Sequence, residues 1–307
     1  MELKTTMPPY SADTALTDGR LRQAQLKMLN MLKAVDALCQ KHGLDYWLDA
    51  GTLLGAIRHQ GFIPWDDDMD IGMPRASYEE FLRIAPQELP EHIWLQTIHS
   101  DPGYFNMATP LKIRDRHSYY VEKHEQGNEP YVQGIFIDVF VYDSMPEDAK
   151  LRKRYKFMAK KISRLLSTKY GVVNIGHHAS VYKVLGKFLP TAILESSLQN
   201  IIHKANTSNS PYLGRGYNCV GENFIHKKDI YPLKKVLFET SLFNVPCNAK
   251  EILTQQFGDY LTLPPENQRV MRHCKELIPY LDPCSGQKSC HSRVEGKPSH
   301  KQSENAI

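Results

Sequence analysis

An α+β fold, a β-sheet with flanking helices and an added helical segment, is predicted by three observations. The first half of the chain alternates helix-period and strand-period patterns, a dense carboxylate run lies on one of those strands, and after residue 146 the pattern turns helical and basic. At 307 residues the chain can bury a sizeable core as one catalytic unit with a helical addition.

Residues 1–16 lack periodicity and read as a flexible arm. A helix follows, with Thr17 or Asp18 as cap and Leu21, Ala24, Met28, Leu32, Val35 and Leu38 recurring at three and four until Gly43 ends it. Residues 44–48 alternate as a half-buried strand, 53–59 read as a short helix, and 68–73 as the carboxylate strand. Ser77 and Glu80 form a capping box for the next helix. Strands are expected at 93–98, 108–113, 119–123 and 134–142. Residues 147–206 read as basic helices with a loop at 171–180 and a break at Pro190. Then come a Gly and aromatic loop at 212–221, a hairpin within 229–246 and a helix at 249–257. The organisation is an arm (1–16), a catalytic core (17–146), a basic helical insertion (147–206), a C-terminal block packed on the core (207–280) and a disordered tail (281–307).

Composition excludes several classes. A net charge of +4 is too mild for a nucleic-acid partner. No apolar run approaches a membrane span and the N-terminus has no apolar leader core, so the expected location is the cytoplasm. Six cysteines in so long a chain suit reduced thiols. Cys274, Cys284 and Cys290 with His273 and His291 offer zinc-type ligands but contain no Cys-x-x-Cys pair, so ordinary thiols are the better reading. The basic helix at 152–169 fits either a solvated helix packed on the domain or a peripheral contact with the inner face of the cytoplasmic membrane.

The richest stretch is 51–70, which joins a Gly51-Thr52 turn to Asp66, Asp67, Asp68 and Asp70. Asp68 and Asp70 stand two apart, so a strand projects both from one face while Met69, Ile71 and Met73 fill the other. Carboxylates beside buried apolar residues are costly unless a cation or hydrogen bonds compensate, and one or two Mg2+ ions prefer such oxygen donors together with substrate phosphates. A helix-loop-helix calcium site is excluded, because counting from Asp66 puts Ile71 where that loop needs Gly and Ser77 where it needs Glu. Asp138 lies inside the apolar strand Ile135-Phe136-Ile137-Asp138-Val139-Phe140-Val141. Either Lys112 or Arg114 pairs it, or it joins Asp68 and Asp70 as a third site carboxylate, as metal ligand or general base. Arg58, Lys112 and Arg114 are candidate phosphate clamps with ordinary ion-pair alternatives. Trp47, Trp65, Tyr119 and Tyr120 are candidate faces for a quaternary ammonium, with core packing the better reading of any one.

Over about residues 20–275 the chain resembles the LicD family. The resemblance rests on Tyr46, the 51–70 string, Ala108-Thr109-Pro110-Leu111-Lys112-Ile113-Arg114-Asp115, Gly134 to Phe140, and a terminal block containing Tyr231-Pro232-Leu233-Lys234, Phe238-Glu239, Val245-Pro246, Phe257-Gly258-Asp259-Tyr260, Pro264-Pro265 and His273. Phe257 stands where Tyr is more usual. The resemblance implies a nucleotidyltransferase-like fold, a mixed β-sheet carrying helices, with Gly51 and Thr52 facing phosphate and Asp66, Asp68, Asp70 and Asp138 around magnesium. It implies transfer of phosphocholine from CDP-choline to a sugar hydroxyl of a bacterial surface glycan or glycolipid, with release of CMP. The alternatives are ribitol or glycerol phosphate as the transferred group, nucleotidyl transfer from an NTP, and a non-catalytic glycan-binding protein.

Overall fold

The computed structural model of the chain describes residues 19–106, 108–171, 179–208, 210–216 and 224–281. The arm, the cap candidates Thr17 and Asp18, and the tail with Cys284, Cys290 and His291 lie outside the described residues. So do parts of the loops expected at 171–180 and 212–221.

The order begins α1 (Arg20–His42), β1 (Trp47–Leu48), α2 (Ala50–His59), β2 (Asp70–Pro74), α3 (Arg75–Glu88) and β3 (Ile93–Gln96). It continues β4 (Leu111–Asp115), β5 (Tyr119–Glu122), β6 (Phe136–Ser144), α4 (Ala149–Lys169), α5 (Ala179–Phe188) and α6 (Thr191–Asn206). The C-terminal part holds β7 (Tyr212–Arg215), β8 (Phe224–His226), α7 (Lys227–Ile230), β9 (Lys234–Phe238), β10 (Ser241–Val245), α8 (Ala249–Phe257) and β11 (Cys274–Ile278).

The main sheet runs β1-β2-β6-β4-β3, with β7 on the far end of β6 and β8 beyond it. It is mixed, since β2 and β6 are parallel and the other pairings antiparallel. The apolar stripe predicted for α1 is buried whole, from Leu21 through Leu38, and Gly43 at φ 64 closes the helix by donating to the Cys39 and Gln40 carbonyls. Met69, Ile71 and Met73 fill the core below the carboxylate strand. A second, smaller apolar cluster of Met145, Ala159, Leu166, Leu194, Leu198, Ile202 and Ala205 holds α4 and α6 together.

Several expectations are corrected. Helix α3 begins at Arg75, after Pro74, so Ser77 is no cap; its Oγ accepts from the Asp45 N–H at 3.0 Å, and Glu80 pairs with Arg83. Three of the five residues of the strand expected at 44–48 are coil, and the strand expected at 108–113 starts at Leu111, beyond Pro110, which has no N–H to give a ladder. Residues 212–215, read as loop, form β7 against β6. Asp229 and Ile230 belong to α7 rather than to the hairpin, and β11 pairs with β5 where no strand was expected.

Candidate functional site

Sheet register builds the site. Asp70 on β2 is the neighbour of Asp138 on β6, and Asp138 is the neighbour of Lys112 on β4, which faces Gln96 on β3. Leu48 pairs Ile71, and Asp49 N–H donates to the Asp70 carbonyl at 3.1 Å, so Asp49 extends the row on the other side. In-register residues of neighbouring strands share a face, which gives one polar row, Asp49, Asp70, Asp138, Lys112 and Gln96, across the sheet.

Asp68 precedes β2 rather than lying on it, and its Oδ2 stands 3.3 Å from Nε2 of His273. Asp67 turns the other way: its buried carboxylate accepts from the backbone N–H groups of Arg272, His273 and Cys274 at 3.2, 2.9 and 2.6 Å. Three N–H donors satisfy that charge and pin the C-terminal segment beside the site. Asp66 sits against the start of α2, where a Cβ on Gly51 would meet its Oδ2 at 3.0 Å. Gly51 thus leaves room for a carboxylate at the positive end of a helix. Ala50, between the Asp49 cap and Gly51, takes φ 43, a conformation costing a non-glycine residue about 1–2 kcal/mol.

The electrostatics agree. Burial, with repulsion from Asp68 and Asp67, raises Asp66 well above the ordinary carboxylate value. Burial, with repulsion from Asp68 and Asp138, does the same to Asp70, and burial raises Asp138. Asp68 is pushed up to about 6 by burial, although His273 opposes the shift. Four hard oxygen donors whose ionisation is suppressed by burial and by one another fit a divalent cation. Among the described residues, Asp67, Asp68 and His273, and separately Glu122, His124 and Glu125, bring three potential ligand atoms within 4.8 Å of one another.

Of the predicted phosphate contacts, Thr52 is buried and its hydroxyl accepts from the Asp70 N–H at 2.8 Å, bracing β2. Arg58 lies near Asp66 and donates to the Tyr260 carbonyl at 2.7 Å. Lys112 is buried between Glu122 at 3.2 Å and Asp138 at 2.9 Å, with its Nζ over the Phe136 ring. The ion pair weighed for Asp138 therefore exists beside the carboxylate cluster, not instead of it. Arg114 is fully enclosed and spends its guanidinium on Gln96, the Gly134 carbonyl and Glu122, so it is a buried brace and not a clamp. Burial would raise Glu122, but Lys112 and Arg114 outweigh it and hold it below the ordinary value.

Sequence reasoning missed the network at the other end of the row. Buried Asp49 accepts from Tyr142 Oη at 2.7 Å and from Arg215 Nη2 and Nε at 2.7 and 3.1 Å, and Arg215 covers the Phe140 ring. Asp49 stands directly before a helix, a cap signal that was readable; Arg215 carried no signal, because its strand was read as loop. Of the aromatic candidates, Trp47 and Tyr120 are buried in the core, whereas Trp65 and Tyr119 are half-exposed. Two cavities of about 720 and 970 Å³ lie between the sheet and the helical insertion, lined by residues such as Arg75, Tyr142 and Asn206, and Thr97, Phe105 and Glu195; none of the four site aspartates lines either.

Comparison with known proteins adds an independent observation. Residues 43–175 match the family described as LicD/FKTN/FKRP, nucleotidyltransferase domain. The chain is 30% identical over 267 residues to the lipopolysaccharide cholinephosphotransferase LicD of Haemophilus influenzae, covering 83% of this chain and 97% of that one. It is also 58% identical over 31 residues to the human ribitol 5-phosphate transferase FKRP, covering 10% of this chain and 6% of that protein. A 26% identity over 130 residues links it to mannosyltransferase regulator 4 of Saccharomyces cerevisiae, covering 42% of this chain and 10% of that one.

Proposed function

The chain belongs to the LicD family and is a phosphotransferase, and from that premise we propose that it moves phosphocholine from CDP-choline to a sugar hydroxyl of a bacterial surface glycan, of lipopolysaccharide or teichoic-acid type, and releases CMP. The observation that carries the reading is the register that sets Asp70 beside Asp138 on a parallel strand pair, with Asp68 within electrostatic reach of both, Asp66 within reach of Asp68, and the ionisation of each suppressed. The transferred group and the acceptor class follow the relative whose length this chain covers to 97%, and the CDP-activated donor follows from the family resemblance.

Asp66, Asp68 and Asp70 would hold Mg2+, with Asp138 either a further ligand or the base that takes the acceptor's proton. Bound there, one or two such ions would supply charge neutralisation at the donor pyrophosphate, worth several kcal/mol in comparable reactions. The acceptor hydroxyl oxygen attacks the phosphorus that carries choline, the bond to CMP breaks, and the hydroxyl proton passes to a base. Asp138 suits that base, because burial raises its proton affinity while Lys112 at 2.9 Å fixes its orientation. Arg58 beside Asp66 is a cation suited to steer a phosphate, and the His273 ring beside Asp68 offers a further polar contact. The nucleotidyltransferase-like reading of the fold, Mg2+ dependence and a cytoplasmic location belong to this proposal; no helix among the described residues is long and apolar enough to cross a membrane.

The short, strong match to a ribitol phosphate transferase favours one second reading, in which the transferred alcohol is ribitol or glycerol. The purified protein with Mg2+, a panel of CDP-alcohols and a crude glycolipid extract decides between them. CMP release with CDP-choline alone, with a phosphocholine mass gain on the glycan and loss in Asp68→Asn, is the expected result. Release with CDP-ribitol or CDP-glycerol instead would reassign the donor, and pyrophosphate release from an NTP would replace the reaction. Glycan binding without turnover, unaffected by Asp68→Asn, would leave only a binding protein.

A further inference from the structure

The helical insertion carries a surface that the catalytic site does not use. Helix α5 meets α4 through Tyr182, whose hydroxyl accepts from Lys161 Nζ at 2.9 Å, and through Gly186, where a Cβ would stand 2.4 Å from Thr168 Oγ1. These two residues, four apart, define its inward face. Val181, Val184, Leu185 and Phe188 repeat at i, i+3, i+4 and i+7 on the remaining surface, and they are 53, 56, 49 and 79% exposed. Ile193 at the start of α6 and Phe157 on α4 are exposed as well. An apolar stripe of this spacing normally faces a core, and none of these side chains belongs to either apolar cluster.

Charge identifies what covers it. From residue 149 to residue 194 the sequence holds eleven Lys and Arg and no Asp or Glu. The whole chain is +4, so everything outside this segment totals −7. Lys183 and Lys187 stand beside the stripe on α5, and Lys153, Arg154, Lys160 and Lys161 are exposed on α4. Basic residues around an exposed apolar stripe are the pattern of a helix lying in the boundary of an anionic bilayer, its apolar side chains among the acyl chains and its cations at the headgroups. A second protein chain would bury the same stripe but gives no reason for excluding every acidic residue over this length.

We infer that α5, supported by the basic surface of α4, docks this protein on an anionic lipid surface. The contact is peripheral, and Phe188, Val184, Val181 and Leu185 are its apolar anchors. The inference does not depend on which alcohol the enzyme transfers, because its test requires no turnover.

The full chain is mixed with vesicles of phosphatidylcholine alone, or of phosphatidylcholine and phosphatidylglycerol in equal parts, and the bound fraction is measured by flotation at low and high salt. Binding to the anionic vesicles alone, weakened by salt, is expected. Phe188→Asp with Val184→Asp lowers it by at least about tenfold, as loss of apolar anchors requires. Lys183→Glu with Lys187→Glu, at exposed positions where folding is not at stake, lowers it by about tenfold or more. Melting temperature checks that each variant is folded. Absence of binding to anionic vesicles, or binding that both folded variants retain, would overturn the inference. Self-association of the wild type that Phe188→Asp abolishes, without vesicle binding, would also overturn it and make the stripe a protein interface.

Discussion

Asp68 shows how one residue trades stability for chemistry. Its acid form is favoured in the fold, since burial lifts its pKa from the model-peptide value of 3.8 to about 6. A carboxyl that holds its proton more tightly folded than unfolded contributes stability at low pH, and that contribution is lost as pH rises from about 4 to about 6. In chelator, the melting temperature should therefore fall as pH climbs through that window, and Asp68→Asn should flatten the fall and melt higher than wild type at neutral pH. Added Mg2+ should raise the melting temperature of wild type more than that of Asp68→Asn or Asp70→Asn, and both variants should lose at least about a hundredfold in turnover. A chelated variant no more stable than wild type would show that the carboxylates are not mutually strained. Lys112→Met leaves Asp138 without its buried partner and Glu122 with Arg114 alone, and should cost about 3–5 kcal/mol, read by denaturant unfolding. Trp65→Ala tests the half-exposed aromatic beside Asp66: KM for CDP-choline should rise about threefold or more, with CDP-ribitol unaffected, if this ring holds the ammonium. The sequence singled out Asp68, Asp70 and Asp138 through alternation and an isolated charge in an apolar run, which are local signals, although Asp68 lies just before β2 and not on it. It misread Arg114, since nothing local distinguishes a cation that reaches solvent from one enclosed by Gln96, Gly134 and Glu122.

At the scale of elements, the start of α2 and the middle of β2 hold the site in register. Asp49 caps α2 while it also accepts from Tyr142 and Arg215, so one buried carboxylate ties helix, sheet and β7 together. Asp49→Ala removes the cap and strands Arg215, and about 3 kcal/mol of destabilisation is expected; Arg215→Ala in the same background should add much less than it does alone. Gly72 on β2 lies under Trp47, and a Cβ there would stand 2.5 Å from Nε1 of that ring. Gly72→Ala should therefore push β1 from β2 and cost about 1–3 kcal/mol, with the Mg2+ response weakened because Asp70 shares the strand. Long, periodic elements such as α1 and β6 were legible almost to their ends. Short strands such as β7 and β11 were not, because a strand of four or five residues is made by its partner more than by its own sequence.

At the scale of the molecule, the described residues form two apolar clusters, and the sequence divides into two charge regimes. The sheet and α1 share the main core, whereas α4 and α6 pack on their own cluster and are tied to β6 by Asn206, which donates to Asp143 at 2.7 Å and accepts from the Ser144 N–H at 2.9 Å. Such a unit should open before the rest, so hydrogen exchange should be faster in α4 to α6 than in β6. Leu198→Ala should cost about 2–4 kcal/mol and accelerate exchange in the insertion while leaving the Mg2+ response unchanged; equal acceleration in β6 would show a single cooperative unit. The sequence by itself determined the α+β class, the carboxylate strand, the basic character of 149–194 and the apolar stripe of α1, because periodicity and charge run are properties of neighbours along the chain. Only the tertiary structure decided that Asp49, Asp70, Asp138 and Lys112 stand in one row, that Asp67 anchors the C-terminal segment while Asp68 meets His273, and that the stripe of α5 faces outward. Those facts depend on strand order, register and which helix face finds a partner, and they are set by contacts between residues tens to hundreds of positions apart.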